Sequence, residues 1–169
     1  MQTRSKLIWW HMPLEGVVLD ERLAERGSEA QQADWDTNIR ELLANASCNL
    51  DEAATLRIRL AERGFELDLL GAEGAALGTV SIRHEQLSTH IDEYLDIVRQ
   101  MSSADSLNQM EALDMAKKVT HDRAGRVLKR ALRDFGFDLE TSRRLFTLLL
   151  SLKVDTTRLA GLRGHPRLG

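Results

Sequence analysis

The chain has 169 residues, 43% hydrophobic and 29% charged, with a net charge of −3. That balance suits one globular domain and excludes a fibrous or intrinsically disordered chain. The longest apolar run, Leu145 to Leu152, is broken by Thr147 and Ser151 and falls far short of the roughly 20 residues of a membrane span.

The single cysteine, Cys48, leaves no intramolecular disulfide and no Cys-rich metal site, and it suits a reducing compartment. At the N-terminus, Leu7-Ile8-Trp9-Trp10 is cut by His11, Pro13 and Glu15, too short for the apolar region of a signal peptide. A cytoplasmic protein with no membrane partner is expected.

In chain order, residues 1–14 read as a tail and Gly16 to Asp20 as a short strand. Ser28 is placed to cap a helix over about Glu29 to Asn45. Trp35, Ile39, Leu42, Leu43 and Ala46 form its apolar stripe at helical period. The period then drops to 2. Leu56, Ile58 and Leu60 alternate with Arg57 and Arg59, and Phe65, Leu67 and Leu69 alternate with Glu66 and Asp68. A turn over Ala61 to Gly64 makes this a hairpin, with Arg59 opposite Glu66 and Arg57 opposite Asp68 on an exposed face. A third strand is expected over about Leu77 to Arg83.

From there the pattern is helical. Leu87, Ile91, Tyr94, Leu95, Val98 and Met101 fall on one stripe. A long helix follows over about Ser106 to Arg133, with Gly125 as a candidate bend. Phe135-Gly136-Phe137 makes a turn, and Asp138 caps a last helix, to about Lys153, that is apolar on most sides. The fold class is α+β, a small mostly antiparallel sheet (N-terminal strand plus three-stranded meander) covered by about four helices, with an all-helical C-terminal half. The expected organisation is a tail over 1–14, one domain over 15–154, and a flexible basic tail over 155–169.

Charge is unevenly divided. Residues 1–105 hold 10 basic and 19 acidic side chains, a net of −9, while residues 106–169 hold 13 and 7, a net of +6. Such a split lets the halves pack on each other, lets two copies pair as a homodimer, or gives the basic half an anionic partner.

The segment from Glu111 through Ala112, Leu113, Asp114, Met115, Ala116 and Lys117 to Lys118 is followed by His121. It is followed later by Thr141-Ser142-Arg143-Arg144-Leu145-Phe146-Thr147-Leu148. Together these resemble uncharacterised protein family 0262, small bacterial proteins found mostly in alphaproteobacteria. The order of elements upstream also looks like this family, over about residues 15 to 153. The resemblance implies a bacterial cytoplasmic protein and carries no known reaction, cofactor or catalytic residue. The tryptophan-bearing N-terminal tail, the basic C-terminal tail and the extra basic residues between 123 and 133 depart from the family pattern.

Lys117, Lys118, Arg123, Arg126, Lys129, Arg130 and Arg133 are read as one basic side of the long helix, six of the seven within about 140° at 3.6 residues per turn. Met115 and Val119 sit among them. With Trp9 and Trp10 on the tail, they form the expected partner-binding set. A solvated face is the plainer meaning of such a stripe. Nucleic acid is disfavoured, because no aromatic side chain interleaves with it as a stacking platform would.

Asp114, His121, Arg143 and Arg144 form a second group, a candidate ligand cluster. Asp114 and His121 are seven apart on a helix, roughly 10 Å along the axis, so no direct hydrogen bond joins them. Arg143 and Arg144 are expected to be tied to carboxylates, with Glu140–Arg144 a favourable i,i+4 pair. No nucleophile elbow, phosphate loop or zinc-protease motif is present in the sequence, so no catalytic residue, metal or cofactor is assigned. His84, His90 and Asp92 match no standard ligand spacing.

The expected function is a non-enzymatic protein-interaction or regulatory module of the bacterial cytoplasm. The alternatives are a small enzyme or ligand-binding protein with its site near His121, Arg143 and Arg144, and an RNA- or ribosome-associated protein.

Overall fold

A computed structural model of the chain describes residues 12–48 and 52–159. The strands are β1 (Met12–Leu19), β2 (Ser47–Cys48), β3 (Ala54–Ala61), β4 (Gly64–Leu70) and β5 (Ala76–Arg83). The α-helices are α1 (Glu21–Ala24), α2 (Glu29–Asn45), α3 (His84–Ser102), α4 (Leu107–Ala131) and α5 (Leu139–Lys153). The strands form one sheet in the order β2-β1-β3-β4-β5. β1 runs parallel to β3 and every other pair is antiparallel. The chain is therefore α+β, with the expected helical C-terminal half.

The hairpin has the register that its period-2 pattern predicts, Arg57 opposite Asp68 and Arg59 opposite Glu66. Its strands run closer to the turn than expected, because Ala61 also pairs with Gly64. Of the two expected charge pairs, Arg57–Asp68 forms and Arg59–Glu66 does not. Both arginines converge on Asp68, Arg57 Nε at 2.8 Å and Arg59 Nε at 2.6 Å, while Glu66 accepts from the Ser81 hydroxyl. Asp68 is buried rather than exposed, covered by the two guanidinium groups. A diagonal neighbour on a sheet lies within reach of a long arginine, which is why Arg59 bypasses the residue directly opposite it.

The sequence placed strand β1 too late. It begins at Met12, and Leu14, expected in the tail, is buried opposite Ala54. Trp9 and Trp10 lie outside the described residues. The one-turn helix α1 was not expected. Asp20 caps it by accepting from Leu23 N at 2.8 Å, and its other oxygen accepts from Leu60 N at 3.0 Å. At the other end, the stretch expected as tail opens with a packed turn over Thr156–Arg158. There Thr156 is buried and donates to Asp34 on α2 at 2.8 Å. Residues 160–169 lie outside the described residues.

The helices collect on the face of the sheet that carries Leu56, Ile58, Leu67, Leu69 and Ile82. All six stripe residues predicted on α3 are buried. α5 packs between α2 and α4 and buries residues around most of its circumference, as its composition predicts. Trp35 Nε1 of α2 donates to Ser151 O of α5 at 2.9 Å, giving the buried indole the partner it requires. Gly136 takes the left-handed conformation (φ 71°) that the turn before α5 needs.

α4 runs through Gly125 as one continuous helix, so the expected bend gives way to a close approach. A Cβ on Gly125 would stand 2.6 Å from Arg143 Cγ and 3.3 Å from Arg143 N. Only glycine lets the α4 backbone rest this closely on the first turns of α5. That approach sets the geometry of the site. Among the described residues, no helix is long and apolar enough to cross a membrane.

Candidate functional site

His121 lies one turn before Gly125, so the close approach brings its ring against α5. Its Nε2 is 2.8 Å from Arg143 O and 2.9 Å from Thr147 Oγ1. A carbonyl oxygen only accepts, so Nε2 carries the proton, and the Thr147 hydroxyl donates to Arg143 O at 3.3 Å. Neutral His121 therefore presents Nδ1 as an acceptor, and no hydrogen bond among the described residues occupies it.

The ring packs with Tyr94 of α3 and Phe146 of α5, with all three centroid separations between 5.8 and 5.9 Å. Burial holds the His121 pKa below its ordinary value and outweighs the opposing hydrogen bond to Arg143 O, while nearby Arg143 also disfavours the imidazolium. Burial likewise pushes the Tyr94 phenol up to about 12, so it stays protonated.

Arg143 returns the contact from α5. Its Nε lies 2.9 Å from Asp122 Oδ1 of α4, without hydrogen-bond alignment, and its Nη1 donates to Glu140 at 3.1 Å. Arg144 turns the other way, donating to Glu140 at 3.1 Å and approaching Glu41 of α2 at 3.6 Å. The arginines are thus engaged with carboxylates, two of which, Asp122 and Glu140, belong to the basic half.

The candidate ligand cluster is therefore divided. Asp114, His121 and Arg143 line a groove of about 600 Å³ along α4, together with Glu111, Lys117 and Lys118. Arg144 instead lines a smaller depression of about 180 Å³ with Asn38, Glu41 and Thr147, of which His121 and Arg143 form the common wall. No Asp114–Lys118 ion pair forms within 4.0 Å among the described residues.

Lys117 was expected on the outer basic stripe, but it turns inward. Its Nζ sits 5.8 Å above the Tyr94 ring, half-buried, and that burial lowers its pKa against the opposing pull of Asp114. A signal for this lies in the sequence. Lys117, His121, Ala124 and Leu128 recur at i, i+4, i+7 and i+11, the phase of the buried face. The role of Tyr94 as floor of the groove has no such signal, because nothing in α3 distinguishes it from the other core residues of its stripe.

The rest of the stripe is exposed, with Lys118 also on the edge of the groove. Lys118, Arg126, Lys129, Arg130 and Arg133 are exposed. Arg123 is also exposed and reaches Glu93 at 3.9 Å. Met115 and Val119 between them are 66% and 46% exposed. His84 packs edge-on against Phe65 at 5.8 Å, and His90 Nδ1 is buried without a partner. No group of three His, Cys, Asp or Glu side chains among the described residues could hold a metal ion.

Replacing His121 with glutamine should flatten the acid side of the stability profile. In the wild type the neutral ring is favoured on folding, so the unfolded chain binds the extra proton first. Stability falls as pH drops below about 6.5 toward the lower folded pKa. Thermal unfolding at pH 7.5 and 5.5 checks this, with His84→Gln as the comparison because burial lowers that ring as well. An unchanged pH dependence in His121→Gln would remove the buried neutral imidazole from the account.

Fold and groove together define a small α+β protein in which an open sheet is backed by a helical layer with a mixed-charge groove on α4. The chain belongs to UPF0262, an uncharacterised protein family whose model matches residues 12–155. It is 30% identical over 102 residues to a UPF0262 protein of Dinoroseobacter shibae, an alignment covering 58% of this chain and 64% of that protein. The match thus spans less than two thirds of the curated relative's length. No solved structure matches the chain.

Proposed function

We propose that this protein is a non-enzymatic interaction module of the bacterial cytoplasm that docks an acidic protein partner against the outer face of α4. The observation carrying this reading is the run of exposed cations, Lys118, Arg126, Lys129, Arg130 and Arg133, with no carboxylate within 4.0 Å among the described residues. Bringing an acidic surface against them breaks no internal ion pair. The stripe from Lys118 to Arg130 is about 18 Å long at 1.5 Å per residue. Val119 and Met115 add apolar area to its upper end, and this combination of charge and apolar contact suits a protein surface more than a phosphate backbone.

The test compares wild type with an Arg126→Glu/Arg130→Glu/Arg133→Glu variant as bait in cytoplasmic extract, after circular dichroism has established equal folding. The expected result is a stoichiometric acidic protein held by the wild type, weakened by salt and lost by the variant. Recovery of RNA alone, or identical capture by both baits, would refute the docking reading. Light scattering of the purified chain separates a foreign partner from a second copy.

A further inference from the structure

We propose that the groove between α4 and α5 binds a small zwitterion, an amino acid or very short peptide with an apolar side chain, its carboxylate on Lys117 and its ammonium on Asp114. The inference concerns the inner edge of α4, which shares Lys118 and Met115 with the docking face, but it does not rest on the docking reading.

The lining is of mixed sign and unspent. Asp114, Glu111, Lys117 and Lys118 all face one groove, and none of the four lies within 4.0 Å of an opposite charge among the described residues. Asp114 and Lys117 are three apart on one helix, so their Cβ atoms are about 5 to 6 Å apart. Their charged ends remain out of contact. An α-amino acid, whose ammonium and carboxylate are separated by a single carbon, spans such a gap with one charge-assisted hydrogen bond at each end.

The other walls suit the remainder of such a ligand. Lys117 is held above the Tyr94 ring, half-buried and without a carboxylate partner, so its ammonium is partly desolvated and aimed by packing rather than swinging freely. Met115, 66% exposed, supplies a deformable apolar wall for a side chain. The groove volume of about 600 Å³ falls in the size range of metabolite sites.

A phosphate dianion fits poorly. Arg143 is already engaged by Asp122 and Glu140, and the carboxylates of Glu111 and Asp114 on the rim repel a second negative charge. A simple carboxylic acid would leave Asp114 unanswered.

The experiment titrates the full chain with L-phenylalanine, L-leucine, glycine, N-acetyl-L-phenylalanine and L-phenylalanine amide, followed by calorimetry and backbone amide chemical shifts. Phenylalanine and leucine should bind, glycine more weakly. Blocking either end should cost about tenfold or more, the usual loss when a charged hydrogen bond goes unmade. Lys117→Met should remove the discrimination against the amide, and Asp114→Asn the discrimination against the N-acetyl form. Equal binding of the N-acetyl form by the wild type would reduce the groove to a carboxylate site and overturn the proposal. So would the absence of any shift up to about 10 mM ligand. The wild-type panel decides the matter even if a variant folds poorly.

Discussion

Replacing Phe146 with alanine is expected to lower stability by about 3 to 5 kcal/mol, the usual cost of truncating a fully buried aromatic ring. In a chain of this size that corresponds to a fall in Tm on the order of 10 °C. Phe146 is fully buried on the helix enclosed by α2 and α4. Its ring stands edge-on to Tyr94 at 5.9 Å and beside His121 at 5.8 Å, so no single neighbour can relax to fill the space. Phe146→Leu keeps most of the volume and should cost about 1.5 kcal/mol or less. Urea unfolding of the three proteins checks this. A Phe146→Ala protein within 1 kcal/mol of wild type, or so, would mean that the three-ring packing is wrong. The same truncation opens His121 to water. It should therefore shrink the pH dependence described above, linking core packing to the chemistry of the groove.

The second large effect is expected on the opposite face of the sheet. Asp68 is 1% exposed and accepts from Arg57 Nε, from Arg59 Nε and Nη2, and from the Thr79 hydroxyl, at 2.6 to 2.9 Å. The hydrogen bond from Arg59, aided by Thr79 and Arg57 and opposed by burial, holds its carboxyl well below the usual carboxylate range. Asp68→Ala strands two guanidinium groups across the middle of the β3–β4–β5 surface. Because their side chains remain 38% and 39% exposed, they regain some water. The expected loss is therefore about 2 to 4 kcal/mol, short of the full cost of breaking a buried pair.

The sign of the pH effect follows from the lowered pKa. The contribution is complete above about pH 4 and disappears as pH falls below the unfolded value. The acid limb of the wild-type stability curve should be steeper than that of Asp68→Ala. Urea unfolding from pH 7 to 3 measures both quantities. Loss of less than about 0.5 kcal/mol at neutral pH would place this cluster among ordinary surface ion pairs.

The two clusters show what a one-dimensional pattern carries. Alternation over Leu56 to Leu60 and Phe65 to Leu69 sets which face of each strand meets the core, and the short turn over Ala61 to Gly64 then fixes the register that is observed. Helical phase works the same way in α3, where the six predicted stripe residues are the six buried ones. Asp138 caps α5 from the position its sequence suggests, accepting from Thr141 N at 2.8 Å. The family was legible too, from the residues between Glu111 and Leu148.

What the sequence alone determined about this protein is thus local and periodic: the hairpin register, the helices with their buried faces, the α+β class, and the concentration of positive charge on α4. Tertiary structure alone decided the rest. The parallel β1–β3 pairing with β2 at the sheet edge joins segments far apart in the chain, and no turn specifies it. The convergence of two arginines on Asp68 depends on side-chain reach across strands. The groove depends on Gly125 letting α4 settle onto Arg143, which gives His121 its carbonyl partner and carries Lys117 inward over Tyr94. Periodicity tells which face of an element is buried. Which atoms meet there is set by the distance between elements, and here one missing Cβ sets that distance.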